Sequence, residues 1–320
     1  MYRPEQNFLT ILQCACDLYC GHPIQVLMTP IRNRVILEVI KEAEDRGWVR
    51  LISTESNGHI PNRNHSNTNT AALEEAVKRL ASGEGEVFLS DPLNPKPIFL
   101  ALLRKDFGLR KEGEVWSHLA AFEWQRPEYE DIPTHRELLL VSDGVLGTRY
   151  NLVRRIGVIQ NTVKVAHFLG IIKPNIALLA ASRSIQQDVQ TSREWAWVSK
   201  MSQRGTFHQA NVYGPVGLEE TVQSGNHPVD ALITADISVG NPLVSALNLL
   251  CGLPCAGIIV GGDVPVVLPW PSIDRTSVLT SLALAALCSP RGFRRLKNIK
   301  AILDNQRNPQ ENLSNYSTET

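Results

Sequence analysis

The chain has 320 residues, of which 43% are hydrophobic, and its 32 basic residues balance 32 acidic ones. Zero formal charge offers no global attraction for nucleic acid or an anionic membrane surface. No apolar run reaches the roughly 20 residues of a membrane-spanning helix and the N-terminus lacks a secretory pattern, so we expect a cytoplasmic protein.

Short apolar runs alternate with longer segments of helical period along most of the chain. The expected strands are "IQVLM", "VRLIS", "EVFLS", "ELLLVSD", "NIALLAA", "VDALITAD", "CAGIIVGG" and "VPVVL". The expected helices cover 31–47, 70–80, 97–107, 151–170, 193–204, 241–251 and 277–287, after an amphipathic N-terminal helix. Buried strands separated by helices predict an α/β fold, with mainly parallel sheets and helices on both faces.

Two features bear on domains and metals. The polar segment "EWQRPEYEDIPTHRE" interrupts the alternation and is typical of a connection between domains.

Six cysteines are too sparse for a disulfide framework, so we expect them reduced. Cys16, Cys20 and His22 have a spacing that could hold a metal, but an amphipathic helix with small buried thiols explains them better. We predict no metal site.

Polar residues follow several predicted strands, where α/β sheets place ligands beyond the carboxyl ends. The loops are "LSDPLNP", "VSDGVLGTR", "VYGPVGLEE" and "ITADISVGN". A phosphate site in the second loop and an ordinary strand-to-helix turn are both compatible with these residues. None carries a Gly-x-Gly-x-x-Gly or Walker motif. Composition and spacing alone indicate an α/β protein with a cleft and no particular reaction. We expect Arg154 and Arg155 to lie on an exposed face of their helix.

Six segments in order resemble the phosphate acetyltransferase and phosphate butyryltransferase family. They are "GLRKEGEVWSHLAAFE", "LLLVSDGVLGTRYNLVRRIGVIQNTVKVAHFLGI", "SKMSQRG", "YGPVGLE", "ADISVGNPLVSALNLL" and "AGIIVGGDVPVVL", the last followed by "SLALAAL". The resemblance covers about Val87 to Leu287. It implies acyl transfer between coenzyme A and phosphate, with coenzyme A as a substrate, no tightly bound cofactor, and no nucleic-acid or membrane partner.

The resemblance also implies the architecture. The family has two α/β domains of the isocitrate and isopropylmalate dehydrogenase kind, with the active site in the cleft between them. Here the first domain would comprise 1–135 plus about 275–320, because the C-terminal helices return to it. The second would comprise 136–274 and carry a homodimer interface.

The catalytic loop departs from the family pattern. Members usually have Thr-Ser-Arg-x-Asp after the last strand, where this chain has Pro269 to Ile273, "PWPSI". Ser272, Asp274 and Arg275 lie at or just beyond this register. They either form a displaced catalytic set, with Arg275 on phosphate and Asp274 accepting the thiol proton, or begin the next helix as caps.

Family binding roles carry over to the positions that match. These substrate-binding candidates are Ser117, His118, Asp143, Thr148, Gly214, Pro215, Gly240 and Asn241, with Trp270 from the altered loop. Trp270 could stack an adenine, fill an acyl pocket or plug the cleft, and His118 could equally be a hydrogen-bonded core histidine. Two functions remain open: an acyltransferase, or a non-catalytic relative that binds a coenzyme A-like or phosphorylated metabolite or a protein partner.

Overall fold

A computed structural model describes residues 7–31, 33–53, 68–89, 95–102, 104–109, 112–125, 136–147, 151–181, 190–223 and 229–296. Within these ranges ten strands form one sheet. They are β1 (Ile24–Met28), β2 (Val49–Ser53), β3 (Val87–Leu89), β4 (Ser117–Gln125), β5 (Arg136–Ser142), β6 (Asn175–Leu179), β7 (Asn211–Val216), β8 (Ala231–Ile233), β9 (Cys255–Val260) and β10 (Val266–Val267).

Helices lie between the strands. The α-helices of the described residues are α1 (Phe8–Tyr19), α2 (Arg34–Asp45), α3 (Thr68–Ala81), α4 (Pro95–Leu102), α5 (Leu152–Phe168), α6 (Gln190–Gln203), α7 (Leu218–Gln223), α8 (Ile237–Ser245) and α9 (Arg275–Cys288). A 3₁₀ turn covers Lys105–Phe107, and a π-helical turn, Ala246–Leu250, extends α8. No helix in the described part of the chain is long and apolar enough to cross a membrane.

Short polar side chains start many of these helices. Each accepts a hydrogen bond from a backbone N–H of the first turn, which the helix itself leaves unpaired. The capping residues are Asn7 (α1), Asn33 (α2), Asn151 (α5), Asp236 (α8) and Asp274 (α9).

The strand order is β2-β1-β3-β10-β9-β4-β5-β8-β6-β7. Neighbours run parallel except where β9 pairs with β10 and β4, and where β4 pairs with β5. Because of these three antiparallel pairs, β4 begins where β5 and β9 end. The pairs His118↔Ile259 and Leu119↔Ser142 bring the three ends together at the centre of the sheet.

Apolar side chains cover both faces of the sheet. One face packs against α1, α2, α5 and α9. The opposite face, called here the cleft face, carries one cluster with α3 and α4 and another with α8. Helix α9 is buried from Ser277 to Leu287. The expected α/β fold with mainly parallel strands and helices on both faces is therefore confirmed.

All eight predicted runs contain a strand, and two further strands lie outside those runs. Strand β4, "SHLAAFEWQ", lacks β-branched residues, and β7, "NVYGPV", contains the glycine and proline that we interpreted as a loop. The polar segment 123–137 joins β4 and β5, which pair as neighbours in one sheet, and its residues 126–135 lie outside the described ranges. The predicted domain boundaries stay a prediction.

Gly257 lets β9 and the chain after β10 approach closely. Leu268 donates its N–H to the Gly257 carbonyl at 2.9 Å, and the Gly257 N–H donates to Ser281 Oγ of α9 at 2.9 Å. A Cβ on Gly257 would lie 2.1 Å from the Leu268 carbonyl oxygen and 3.2 Å from His118 Nε2. Glycine is therefore required at this crossing.

We predict that Gly257→Ala lowers the free energy of unfolding by about 3 kcal/mol, because a backbone carbonyl cannot move aside as a flexible side chain can. Chemical denaturation followed by tryptophan fluorescence measures the loss. Cys255→Ala, a small change on the same face of β9, is the control and should cost less. Equal stability of Gly257→Ala and the wild type would contradict the close approach.

Candidate active site

Ser117 and His118 begin β4 at the centre of the sheet. Because successive strand residues point to opposite faces, the two side chains separate. Ser117 Oγ accepts a hydrogen bond from Asn161 Nδ2 of α5 at 2.9 Å and is fully buried. His118 lies on the cleft face, next to Gly144, Val244 and Trp270. The structure thus brings His118, but not Ser117, to the cleft face.

His118 is fully buried, and neither ring nitrogen has a hydrogen-bond partner in the described part of the chain. The sequence left open a hydrogen-bonded core histidine, and this is not what the structure contains. Burial lowers the pKa of His118 to about 3, so the ring is neutral near pH 7. An unsatisfied buried polar group costs about 1–3 kcal/mol, a cost that a ligand contact would remove.

Trp270 covers His118 from the altered loop. The two rings meet edge-on, with centroids 6.0 Å apart and an interplanar angle of 81°. Trp270 is half-buried and packs against both clusters of the cleft face. Its carbonyl oxygen accepts from the thiol of Cys255 at 3.6 Å, and burial raises the pKa of that thiol to about 12. Trp270 therefore spans the cleft face directly over the histidine.

Asp143 organises the turn after β5. Its Oδ1 accepts hydrogen bonds from the backbone N–H groups of His118 (3.3 Å), Val145 (3.0 Å) and Leu146 (2.8 Å). Its Oδ2 pairs with the Arg154 guanidinium at 3.1 Å. Burial raises the pKa of Asp143 to about 6, although these hydrogen bonds and Arg154 act to lower it. The carboxyl is fully enclosed, so its role here is to shape the turn.

The expectation that Arg154 and Arg155 are exposed is wrong. Arg154 also donates to the Leu146 carbonyl at 2.8 Å. Arg155 is 5% exposed, pairs with Glu194 of α6 at 2.5 Å and lies 4.6 Å from the Trp195 ring. Both sides of the first turn of α5 contact protein, because α5 lies between the Asp143 turn and α6. The sequence gives no sign of α6 as a neighbour, so periodicity missed these contacts.

The start of α8 packs directly on the Asp143 turn. A Cβ on Gly240 would lie 2.0 Å from the Asp143 carbonyl oxygen, so only glycine permits this approach. Asn241 Nδ2 donates to the Gly144 carbonyl at 3.2 Å. Gly240 and Asn241 therefore lie against the Asp143 turn, and their binding roles stay a prediction.

Other candidates lie elsewhere. Gly214 and Pro215 belong to edge strand β7, separated from β5 by β8 and β6. A Cβ on Gly214 would lie 2.7 Å from the Leu178 carbonyl oxygen, and Ser199 Oγ donates to the Gly214 carbonyl at 2.5 Å. Both contacts hold β6, β7 and α6 together. Thr148 lies outside the described residues, as do Ser90 and Asp91 of the first loop.

The remaining loop residues begin α9. Asp274 caps the helix by accepting from Ser277 N at 2.9 Å and Ser277 Oγ at 2.6 Å, and Ser272 Oγ donates to it at 2.9 Å. Partial burial opposes the effect, but these hydrogen bonds hold the pKa of Asp274 below its usual value. Arg275 pairs with Glu42 of α2, on the face of the sheet opposite His118. Arg275 is thus directed away from His118, while Ser272 and Asp274 are engaged in hydrogen bonds at the start of α9.

Curated proteins similar to this chain are acyltransferases. A phosphate butyryltransferase from Clostridium acetobutylicum is 29% identical over 288 residues, which cover 82% of this chain and 92% of the relative. A phosphate acetyltransferase from Rhizobium meliloti is 25% identical over 243 residues, or 72% of this chain and 73% of the relative. No family model matches the chain.

Solved structures with the same fold agree. A branched-chain phosphotransacylase from Enterococcus faecalis superposes with a TM-score of 0.65 at 25% identity, covering 82% of this chain and 97% of that structure. A phosphotransacetylase from Streptococcus pyogenes superposes with a TM-score of 0.67 at 10% identity, covering 88% and 98%. At that identity the second structure supports the fold alone.

We predict that His118 makes stability fall in acid. Its folded pKa of about 3 lies below the unfolded value of about 6.5, so its contribution is complete above pH 6.5 and lost as the pH falls toward 3. Between pH 7 and pH 5 the wild type should lose about 2 kcal/mol more than His118→Gln. Urea denaturation of both proteins at the two pH values measures this difference.

The comparison with His118→Gln is needed because the ionisation of Asp143 changes the free energy of unfolding with pH in the opposite direction. Its folded pKa of about 6 lies above the ordinary 3.8, so its contribution is complete at low pH and lost as the pH rises through 6. Both proteins retain Asp143, so its effect cancels. Parallel pH profiles for the wild type and His118→Gln would show that His118 is not buried as a neutral ring.

Proposed function

Since the chain is a member of the phosphate acetyltransferase and phosphate butyryltransferase family, we propose that it transfers a short acyl group between coenzyme A and phosphate. The observation that carries the proposal is similarity along 92% of the length of a phosphate butyryltransferase, joined to superposition on 97% of a branched-chain phosphotransacylase. The non-catalytic alternative is not favoured, because these relatives are enzymes by name.

The reaction sets three requirements. The thiol of coenzyme A loses its proton, and the sulfur attacks the carbonyl carbon of the acyl phosphate. As the carbon–sulfur bond forms, the carbonyl electron pair moves to oxygen; it returns as the carbon–oxygen bond to phosphate breaks and phosphate leaves. A base, a donor for the oxyanion and a partner for the phosphate are therefore needed close together.

The cleft face beside β4 is where we place these substrates. His118, the Asp143 turn and the start of α8 meet there, and Trp270 covers them. The predicted catalytic roles of Ser272, Asp274 and Arg275 stay a prediction. Their contacts support the capping alternative, since the hydrogen bonds that lower the pKa of Asp274 also make it a weaker base for a thiol.

We also propose the two-domain organisation given above, a homodimer and a cytoplasmic location. Tyr19 Oη of α1 donates to the Ala286 carbonyl of α9 at 2.9 Å, which supports the return of the C-terminal helices to the first domain. Leu250, 84% exposed, and Leu249, 62% exposed, support an interface in the second domain. The six free cysteines fit a reducing compartment. A light-scattering mass of one chain would contradict the dimer.

We expect the purified protein to form a thioester from coenzyme A and acetyl, propionyl or butyryl phosphate. Absorbance of the thioester follows the reaction directly. Without turnover on any of the three, the proposed function is wrong; measurable coenzyme A binding would then favour the non-catalytic relative.

The same assay separates the two roles of the loop. If Arg275 only pairs with Glu42, Arg275→Ala should leave turnover unchanged and shift stability by less than about 1 kcal/mol. Arg46→Ala is the matched control, because Arg46 pairs with the same Glu42 at 2.6 Å. Asp274→Ala should cost about 1 kcal/mol of stability as a lost cap. Loss of turnover at unchanged stability in either variant would instead assign these residues to catalysis.

A further inference from the structure

Both ring nitrogens of His118 are buried without a hydrogen-bond partner in the part of the chain that the structure describes. The side chain is fully buried, and within the described residues nothing bonds to Nδ1 or Nε2. Buried polar atoms of native proteins nearly always have a partner, and contact with a ligand or with reacting atoms is one explanation for an exception. The ring belongs to the cleft face, whereas Ser117 faces α5 on the opposite side of the sheet.

Glycines flank both nitrogens. A Cβ on Gly144 would lie 3.1 Å from Nδ1, and a Cβ on Gly257 would lie 3.2 Å from Nε2. Any other residue at either position would press a carbon against the polar edge of the ring. The glycines keep both nitrogens clear of side chains at these two positions, while the Trp270 ring meets the imidazole ring edge-on with centroids 6.0 Å apart.

A neutral imidazole offers one N–H donor and one acceptor. Burial favours this uncharged form, lowering the pKa of His118 to about 3. Such a ring is poorly suited to take a proton from a thiol, whose own pKa is several units higher. It is suited to donate a hydrogen bond to an oxygen that gains negative charge, because a fixed donor in a dry site interacts more strongly than in water.

We propose that neutral His118 donates a hydrogen bond to the carbonyl oxygen of the acyl group, and that the Trp270 ring moves off His118 when the acyl group enters. This inference rests on the proposed acyl transfer. As sulfur bonds to the carbonyl carbon, the oxygen gains the electron pair and the hydrogen bond strengthens. When phosphate leaves, the pair returns to the carbonyl, and His118 keeps its proton throughout.

Nitrogen NMR of the ring tests the contact without turnover. We expect the His118 ring resonances, assigned by their loss in His118→Gln, to shift with at least one of acetyl-, propionyl- and butyryl-coenzyme A. Free coenzyme A, which differs only by lacking the acyl group, and inorganic phosphate should leave them in place. An equal shift with phosphate would assign the donor to a phosphoryl oxygen and overturn the carbonyl contact.

Binding measured by calorimetry separates this inference from the proposed function. If an acyl-coenzyme A binds and is turned over while the His118 resonances stay unchanged, the inference alone is wrong. If no acyl-coenzyme A binds at all, both are wrong.

Kinetics give a second test. His118→Leu should lower kcat by about 10²- to 10³-fold, the usual effect of losing one oxyanion donor, with little change in the KM for coenzyme A. His118→Gln, whose amide can donate, should recover part of the loss, and a purely structural role would not produce this recovery. His22→Gln, at an exposed histidine, is the matched control. Equal kcat for His118→Leu and the wild type would overturn the proposal.

The cover provided by Trp270 is tested separately. In Trp270→Ala the His118 ring should gain access to water, so its pKa should rise toward the ordinary value of about 6.5, as read from the same NMR resonances. Trp197→Ala, at a tryptophan that is 65% exposed, is the control and should leave that pKa unchanged. An unchanged pKa in Trp270→Ala would show that Trp270 does not cover the ring.

Discussion

The Asp143 carboxylate joins three segments at the end of β5, and the site depends on this junction. One oxygen holds the N–H of His118 in β4 and the N–H groups of the following turn, while the other pairs with Arg154 of α5. The turn fixed in this way is the surface on which Gly240 brings α8 to its closest approach. Without Asp143 as a buried acceptor, several backbone N–H groups would lose their hydrogen bonds. A small local shift could not offset the free-energy cost of burying these groups without partners.

Burial then sets the electrostatics of the neighbouring groups. Two ionisable side chains lie at the same point, and exclusion of water shifts the pKa of each toward its neutral form, upward for Asp143 and downward for His118. A pocket of this kind is poor at holding a permanent charge.

The loop after β10 places Trp270 against the cleft face. The resemblance aligns Trp270 and Pro271 with a serine and an arginine of the family pattern, so in that register an apolar ring stands where the family has polar groups. Asp274 cannot easily serve both as the cap of α9 and as a base, because the hydrogen bonds that satisfy the helix start also stabilise its charged form.

The sequence by itself determined the α/β class, the strands rich in β-branched residues and the capping residues, because these depend on local periodicity and on side chains that bond to their own backbone. It also carried the family pattern. Strands β4 and β7 were missed because His118, Gly214 and Pro215 are placed in them by partner strands, not by propensity. Only the tertiary structure decided that His118 and Ser117 face opposite sides, that Arg154 and Arg155 are enclosed, and that Arg275 pairs with Glu42. Each of these outcomes depends on a neighbour that is distant in the chain. Residue type does not decide whether a polar group is exposed, paired or left for a ligand, because burial by such a neighbour decides it.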